Sequence, residues 1–120
     1  ATLIGRGRGL TPSGDDSLCG ALLMLRALEA TPEHTALWAA VEPRLGTTTS
    51  LSASLLTGAA DGYAVPAVSR LVEALAADDA PATIRHLPAV LALGNSSGLD
   101  LVRGALAAGL QTVAGDPQGG

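Results

Sequence analysis

The chain has 120 residues, enough for a single domain, with 48% apolar residues, a mean hydropathy of +0.37 and a net charge of −4. Its seven basic residues are all scattered arginines with no lysine, so no basic stripe exists to follow a nucleic-acid backbone. A lone Cys19 excludes an internal disulfide, and no apolar run approaches the length of a bilayer span or follows a charged leader, so a cytoplasmic location is expected.

The first segment, Gly5-Arg-Gly-Arg-Gly-Leu-Thr-Pro-Ser-Gly-Asp-Asp16, concentrates glycines, arginines, hydroxyls and adjacent carboxylates in one stretch. Glycines allow close backbone approach to a ligand, and the free N–H groups of the helix that follows would face such a loop, as in an anion site. The segment lacks the Gly-Lys-Ser/Thr ending of a nucleotide-triphosphate loop. Leu18, Leu22, Leu25 and Leu28 then recur at helical spacing, interrupted through Ala30 only by Arg26 and Glu29, which predicts a central helix. Cys19 lies inside this apolar helix and reads as a buried thiol.

Pro32 opens a short helix through Val41 that Pro43 and Gly46 break. The hydroxyl run Thr47 to Ser50 supplies caps for a helix carrying Leu51, Leu55 and Leu56, which ends near Asp61-Gly62. A further helix from Val65 or Pro66 to Ala77 carries Val68, Leu71, Val72 and Leu75 on one side and Arg70 and Glu73 on the other. Beyond the Asp78-Asp79 turn, Ile84, Leu87, Val90, Leu91 and Leu93 mark a helix expected to kink or break at Pro88. The final helix runs from about Ser97 to Gly109. Residues 1–115 therefore read as one all-α domain of about six helices, and 116–120 as a disordered tail. With no Phe, one Trp38 and one Tyr63, the core is built of Leu, Ala and Val, which implies close helix approach.

An internal echo links the two ends. Ser13-Gly-Asp-Asp-Ser-Leu-Cys-Gly-Ala-Leu and Ser97-Gly-Leu-Asp-Leu-Val-Arg-Gly-Ala-Leu share Ser, Gly, Asp, Gly, Ala and Leu at the same offsets. Each copy starts a helix with a capping-box-like pair, Ser13 with Asp16 and Ser97 with Asp100, and each carries a later glycine, Gly20 or Gly104, suited to close packing. The two helices are expected to be pseudo-equivalent neighbours with their preceding loops at one end.

The Gly5–Asp16 motif resembles the signature Gly-x-Gly-x-Gly-Leu-Thr-Pro-Ser-Gly-Asp-Asp of a bacterial family that includes the AllH-type subunit of oxamate carbamoyltransferase. Gly94-Asn-Ser-Ser-Gly-Leu-Asp100 looks like that family's Gly-x-Thr-Ser-Gly-x-Asp segment. Members are longer than this chain, so the resemblance implies the helical C-terminal part of a longer protein. It also implies a subunit of a multi-subunit enzyme that interconverts oxalurate and phosphate with oxamate and carbamoyl phosphate. Members commonly carry a Thr-Thr-x-x-Ser segment where Thr47 to Ser50 stand, and many have arginine where this chain has Thr49.

These readings converge on one site for a small phosphate- or carboxylate-bearing substrate, formed by Gly7, Gly9, Thr11, Ser13, Gly14, Asp15, Asp16, Thr48, Asn95, Ser96, Ser97, Gly98 and Asp100. Arg6 and Arg8 could add charge-assisted contacts. The aspartates suit a ligand that also offers amide N–H donors, or a divalent cation such as Mg²⁺. No nucleophile or general base stands out, which suits direct transfer or a site completed by partner subunits. His34 and His86 lack ligand partners at metal-binding spacing. Two other classes stay open: a non-catalytic assembly module docking through Gly20, Ala21, Gly104, Ala105 and Ala108, and a Mg²⁺-dependent helical hydrolase using Asp15 and Asp16.

Overall fold

The structure, a computed structural model, describes residues 12–94 and 96–114, and of residues 12, 13, 113 and 114 the backbone only. The described chain forms six α-helices and no strand: α1 (Pro12–Ala27), α2 (Thr31–Val41), α3 (Ser50–Ala60), α4 (Pro66–Ala76), α5 (Ala80–Leu91) and α6 (Ser97–Ala114). Proline stands in the first turn of α2, α4 and α5, where its missing N–H would have no helical partner. Thr49 caps α3 by accepting from the Ser52 N–H at 3.1 Å. Asp79 serves two helices at once. Its N–H donates to the Ala74 carbonyl at 2.9 Å, closing α4, and its carboxylate accepts from the Ala82 N–H at 3.1 Å, opening α5.

α1 runs through the middle of the fold, flanked by α2, α3, α4 and, most extensively, α6. Its Leu18, Leu22, Leu23, Met24 and Leu25 are buried, and Leu56, Leu71, Val41 and Val90 reach them from the surrounding elements. α4 buries Val68, Leu71 and Val72 and exposes Arg70 and Glu73, as its spacing predicts.

Helix boundaries differ from the sequence expectation, beginning with α1, which stops at Ala27 short of the expected Ala30, with Glu29 at a positive φ of 57°. α1 already includes Pro12 to Asp16, because Pro12 has its φ preset for a helix start. The segment from Glu42 to Thr47 continues α2 as a 3₁₀ turn, with Pro43 in its first turn, where the sequence suggested only a break. α5 passes through Pro88 and stops three residues later, so the proline does not break it. α6 extends past Gly109 to Ala114, and Gly109 lies against the Met24 side chain instead of ending the helix, its added Cβ falling 3.7 Å from Met24 Cε. The tail 116–120 lies outside the described residues.

The seam between α1 and α6 has local pseudo-twofold symmetry. A Cβ on Gly20 would fall 1.9 Å from the Leu101 carbonyl oxygen, and one on Gly104 would fall 1.9 Å from the Ser17 carbonyl oxygen. In the sequence echo Gly20 matches Gly104 and Ser17 matches Leu101, so each contact is the other's image. Contacts advance together along both helices, from Asp16 with Ser97 to Met24 beside Gly109, so α1 and α6 are parallel and begin at the same end. Ala105 and Ala108 are buried in this intramolecular seam with Gly20 and Gly104. Of the small residues named for an assembly face, these four are thus buried within the chain, while Ala21 is half-buried.

Candidate functional site

Two parallel helices starting side by side place two positive dipole ends together, and in α6 the Gly98 N–H is already taken by the Leu93 carbonyl at 3.2 Å. The sequence puts three aspartates there. Asp15 and Asp16 lie in the first turns of α1, and Asp100 in the first turn of α6. Their negative charge favours both dipole ends, which accounts for part of their presence on structural grounds alone.

The aspartates have distinct surroundings. Adjacent helical residues point about 100° apart, since a turn holds 3.6 residues. Asp15 turns inward and is only 3% exposed. Its Oδ2 accepts a 2.5 Å hydrogen bond from Thr48 Oγ1, which ties α1 to the segment entering α3. Its Oδ1 is buried and has no hydrogen-bond partner among the described residues. Asp16 faces α6, where the Ser97 side chain stands beside its carboxylate. Burial pushes the Asp16 carboxyl above its ordinary range, the nearby Ser97 hydroxyl opposes this, and the neighbouring charges of Asp100 and Asp15 push it further up. Ser17 completes the junction by donating from Oγ to the Asp100 carbonyl oxygen at 3.1 Å.

The structure thus brings Asp16, Ser97 and Asp100 together and joins Asp15 to Thr48. Gly14 is buried in the first turn of α1, and Gly98 is buried in that of α6. Ser96 is the residue preceding α6, and its carbonyl accepts from the Asp100 N–H at 2.8 Å. Ser97 is therefore the first residue inside the helix, and Ser13 the second residue of α1, so neither occupies the cap position the echo suggested. The Ser97 hydroxyl reaches across to Asp16 instead. Gly5, Arg6, Gly7, Arg8, Gly9, Thr11 and Asn95, and the side chain of Ser13, lie outside the described residues.

Beside Asp16 and Ser97 a groove of ≈ 190 Å³ opens between α1, α3, α4 and the start of α6. Leu23, Ala59 and Val68 form its buried floor, while Leu55, Tyr63 and Val65 stand on its rim, 53%, 75% and 54% exposed. Nothing in the sequence around Tyr63 marks this groove. Ser17 was missed as well, because its echo partner is the apolar Leu101. Cys19 borders the same space, yet burial, with Asp16 and Asp15 adding to it, pushes its thiol up to about 12. At pH 8 native Cys19 should stay unmodified by iodoacetamide and react fully once the chain is unfolded, as read by intact mass. Rapid native labelling would contradict this environment.

Among the described residues no group of three or more His, Cys, Asp and Glu side chains is arranged to hold a metal ion. Asp15 and Asp16 diverge, the first accepting from the Thr48 hydroxyl and the second facing Ser97. No helix among the described residues is long and apolar enough to cross a membrane. His34, set aside on spacing, has a buried Nε2 without a partner among the described residues.

The model of the family described as oxamate carbamoyltransferase subunit AllH matches residues 3–109. The chain belongs to this AllH family. No solved structure matches the chain. The family is named for one subunit of an enzyme, so other subunits are implied for the enzyme after which it is named.

Proposed function

We propose that this AllH-family chain acts within a carbamoyltransferase-type enzyme of the oxalurate, oxamate and carbamoyl phosphate class. In this reading it holds a small ligand where the N-termini of α1 and α6 meet. Family membership carries the assignment of enzyme class. The local chemistry suits it, because carbamoyl compounds combine anionic oxygens with amide N–H groups. The positive ends of the two helices favour the oxygens, and Asp16 and Asp100 accept from the amide. The chain's own contribution to the transfer is to orient the carbamoyl group and stabilise developing negative charge at the helix ends. A nucleophile is not required for direct transfer, and the reading leaves further catalytic groups to partner subunits.

The test is an amide chemical-shift titration with carbamoyl phosphate, oxamate and inorganic phosphate, each with and without Mg²⁺. Saturable shifts are expected at residues 14–16 and 96–100. Asp16→Asn should weaken carbamoyl-ligand binding at least tenfold, a loss of about 1.4 kcal/mol. The same substitution should leave the fold intact and alter its pH dependence. Folding raises the Asp16 pKa, so the native chain keeps this proton to higher pH than the unfolded chain. Its stabilising contribution is complete below the ordinary carboxylate range and is lost as pH rises through the raised folded value. Asp16→Asn should therefore flatten the decline in melting temperature over that window and melt no lower than the parent at pH 7. A variant that binds carbamoyl ligands normally removes Asp16 from the site.

A further inference from the structure

We propose that the apolar groove beside Asp16 and Ser97 is the second half of the same ligand site and takes a compact, uncharged alkyl group attached to a carbamoyl head. The proposal rests on the reading above for its head group and extends it to a substrate class larger and more apolar than oxamate.

The groove adjoins the carboxylate and hydroxyl at one end and continues along hydrocarbon. Its floor of Leu23, Ala59 and Val68 is 6%, 2% and 2% exposed, so it is packed into the core and preformed. The volume of ≈ 190 Å³ lies below the roughly 300 Å³ at which pockets for drug-sized ligands begin, which fits a short chain. Among the described residues no basic side chain lines the groove, and Asp16 stands at its head with Asp100 nearby. An anionic group lying along the hydrocarbon would find no counter-charge among the described residues, whereas a head donating N–H groups to Asp16 meets complementary charge. Leu55 and Val65 leave apolar surface in water at the rim, and an alkyl chain lying between them would cover it.

N-alkylureas of increasing length carry such a head and body. Methylurea, propylurea and pentylurea are titrated into the chain and followed by methyl and amide shifts, with pentanoate as the anionic control. Burial of a methylene contributes a factor of about four in affinity, so pentylurea should bind at least tenfold more tightly than methylurea, with shifts at Leu23, Val65 and Val68. Pentanoate should bind more weakly than pentylurea. Val65→Glu, at an exposed position, should remove the dependence on chain length while helical circular dichroism is unchanged. Equal affinities across the series, or a preference for pentanoate, would overturn the proposal. Self-association abolished by Val65→Glu without any response to alkylureas would also overturn it, in favour of an interface between copies. The two readings fail separately. Carbamoyl phosphate shifts with a flat alkylurea series would sink only the groove, whereas ordered alkylurea binding without a carbamoyl phosphate or oxamate response would sink only the enzyme assignment.

Discussion

Gly20→Ala and Gly104→Ala are each expected to lower stability by at least about 3 kcal/mol, the upper part of the range for overpacked cores. In both cases the new methyl would lie 1.9 Å from a carbonyl oxygen of the facing helix, far inside van der Waals contact. A clash with a flexible side chain can be relieved by a rotamer change. Here the obstacle is backbone, so α1 and α6 must separate along the seam and forfeit packing on either side. Gly46→Ala is the control, because nothing lies within 4 Å of its added Cβ, and it should change stability by no more than about 0.5 kcal/mol. Since both glycines belong to one seam, the double variant should lose less than the sum of the single losses. Thermal and urea unfolding followed by circular dichroism read all four proteins. Near-wild-type melting of either single variant would show that the helices do not approach as described.

Thr48→Val is expected to cost about 1.5–3 kcal/mol, the range for a hydrogen bond to a charged group. Valine preserves the shape of threonine but removes the hydroxyl that donates to Asp15 Oδ2. The other oxygen of this carboxylate is already buried without a partner among the described residues, so the substitution strands a charge that water reaches poorly. Thr49→Val instead removes the cap of α3 and should cost about 1 kcal/mol, typical of an exposed N-cap. A larger loss for Thr48→Val than for its neighbour, measured by urea unfolding at pH 7, would separate the buried bond from the cap. Equal losses would mean that Asp15 is hydrated or satisfied elsewhere.

Much of the fold was legible because helical repeats of Leu, Ala and Val are local signals. The echo carried one long-range fact, the pairing of α1 with α6, because both helices repeat the same small residue where they touch. Local rules failed where tertiary packing decided the outcome. Gly109 looked like a helix end but lies beside Met24, and Ser97 looked like a cap but faces Asp16 across the seam. The bond between Asp15 and Thr48, separated by 33 residues, leaves no periodic trace, although both residues stood among the candidates. The groove rim was illegible for a similar reason. Leu55 and Val65 sit in ordinary apolar sequence, and only the tertiary arrangement leaves them uncovered.

The parallel seam also bears on how this chain folds. Ser17 and Asp100 meet although 83 residues separate them, so closing the seam requires a loop spanning most of the described chain. Such closure carries an entropic cost that grows with the logarithm of loop length, before any contact in the seam can offset it. The pairing of α4 with α5, joined through Asp79, is local and can form early. The meeting of Asp16 with Ser97 belongs to the final consolidation of the fold. On a ribosome, α1 would wait with its glycine-marked face open until α6 emerged, so the seam closes only after every helix between them has been synthesised.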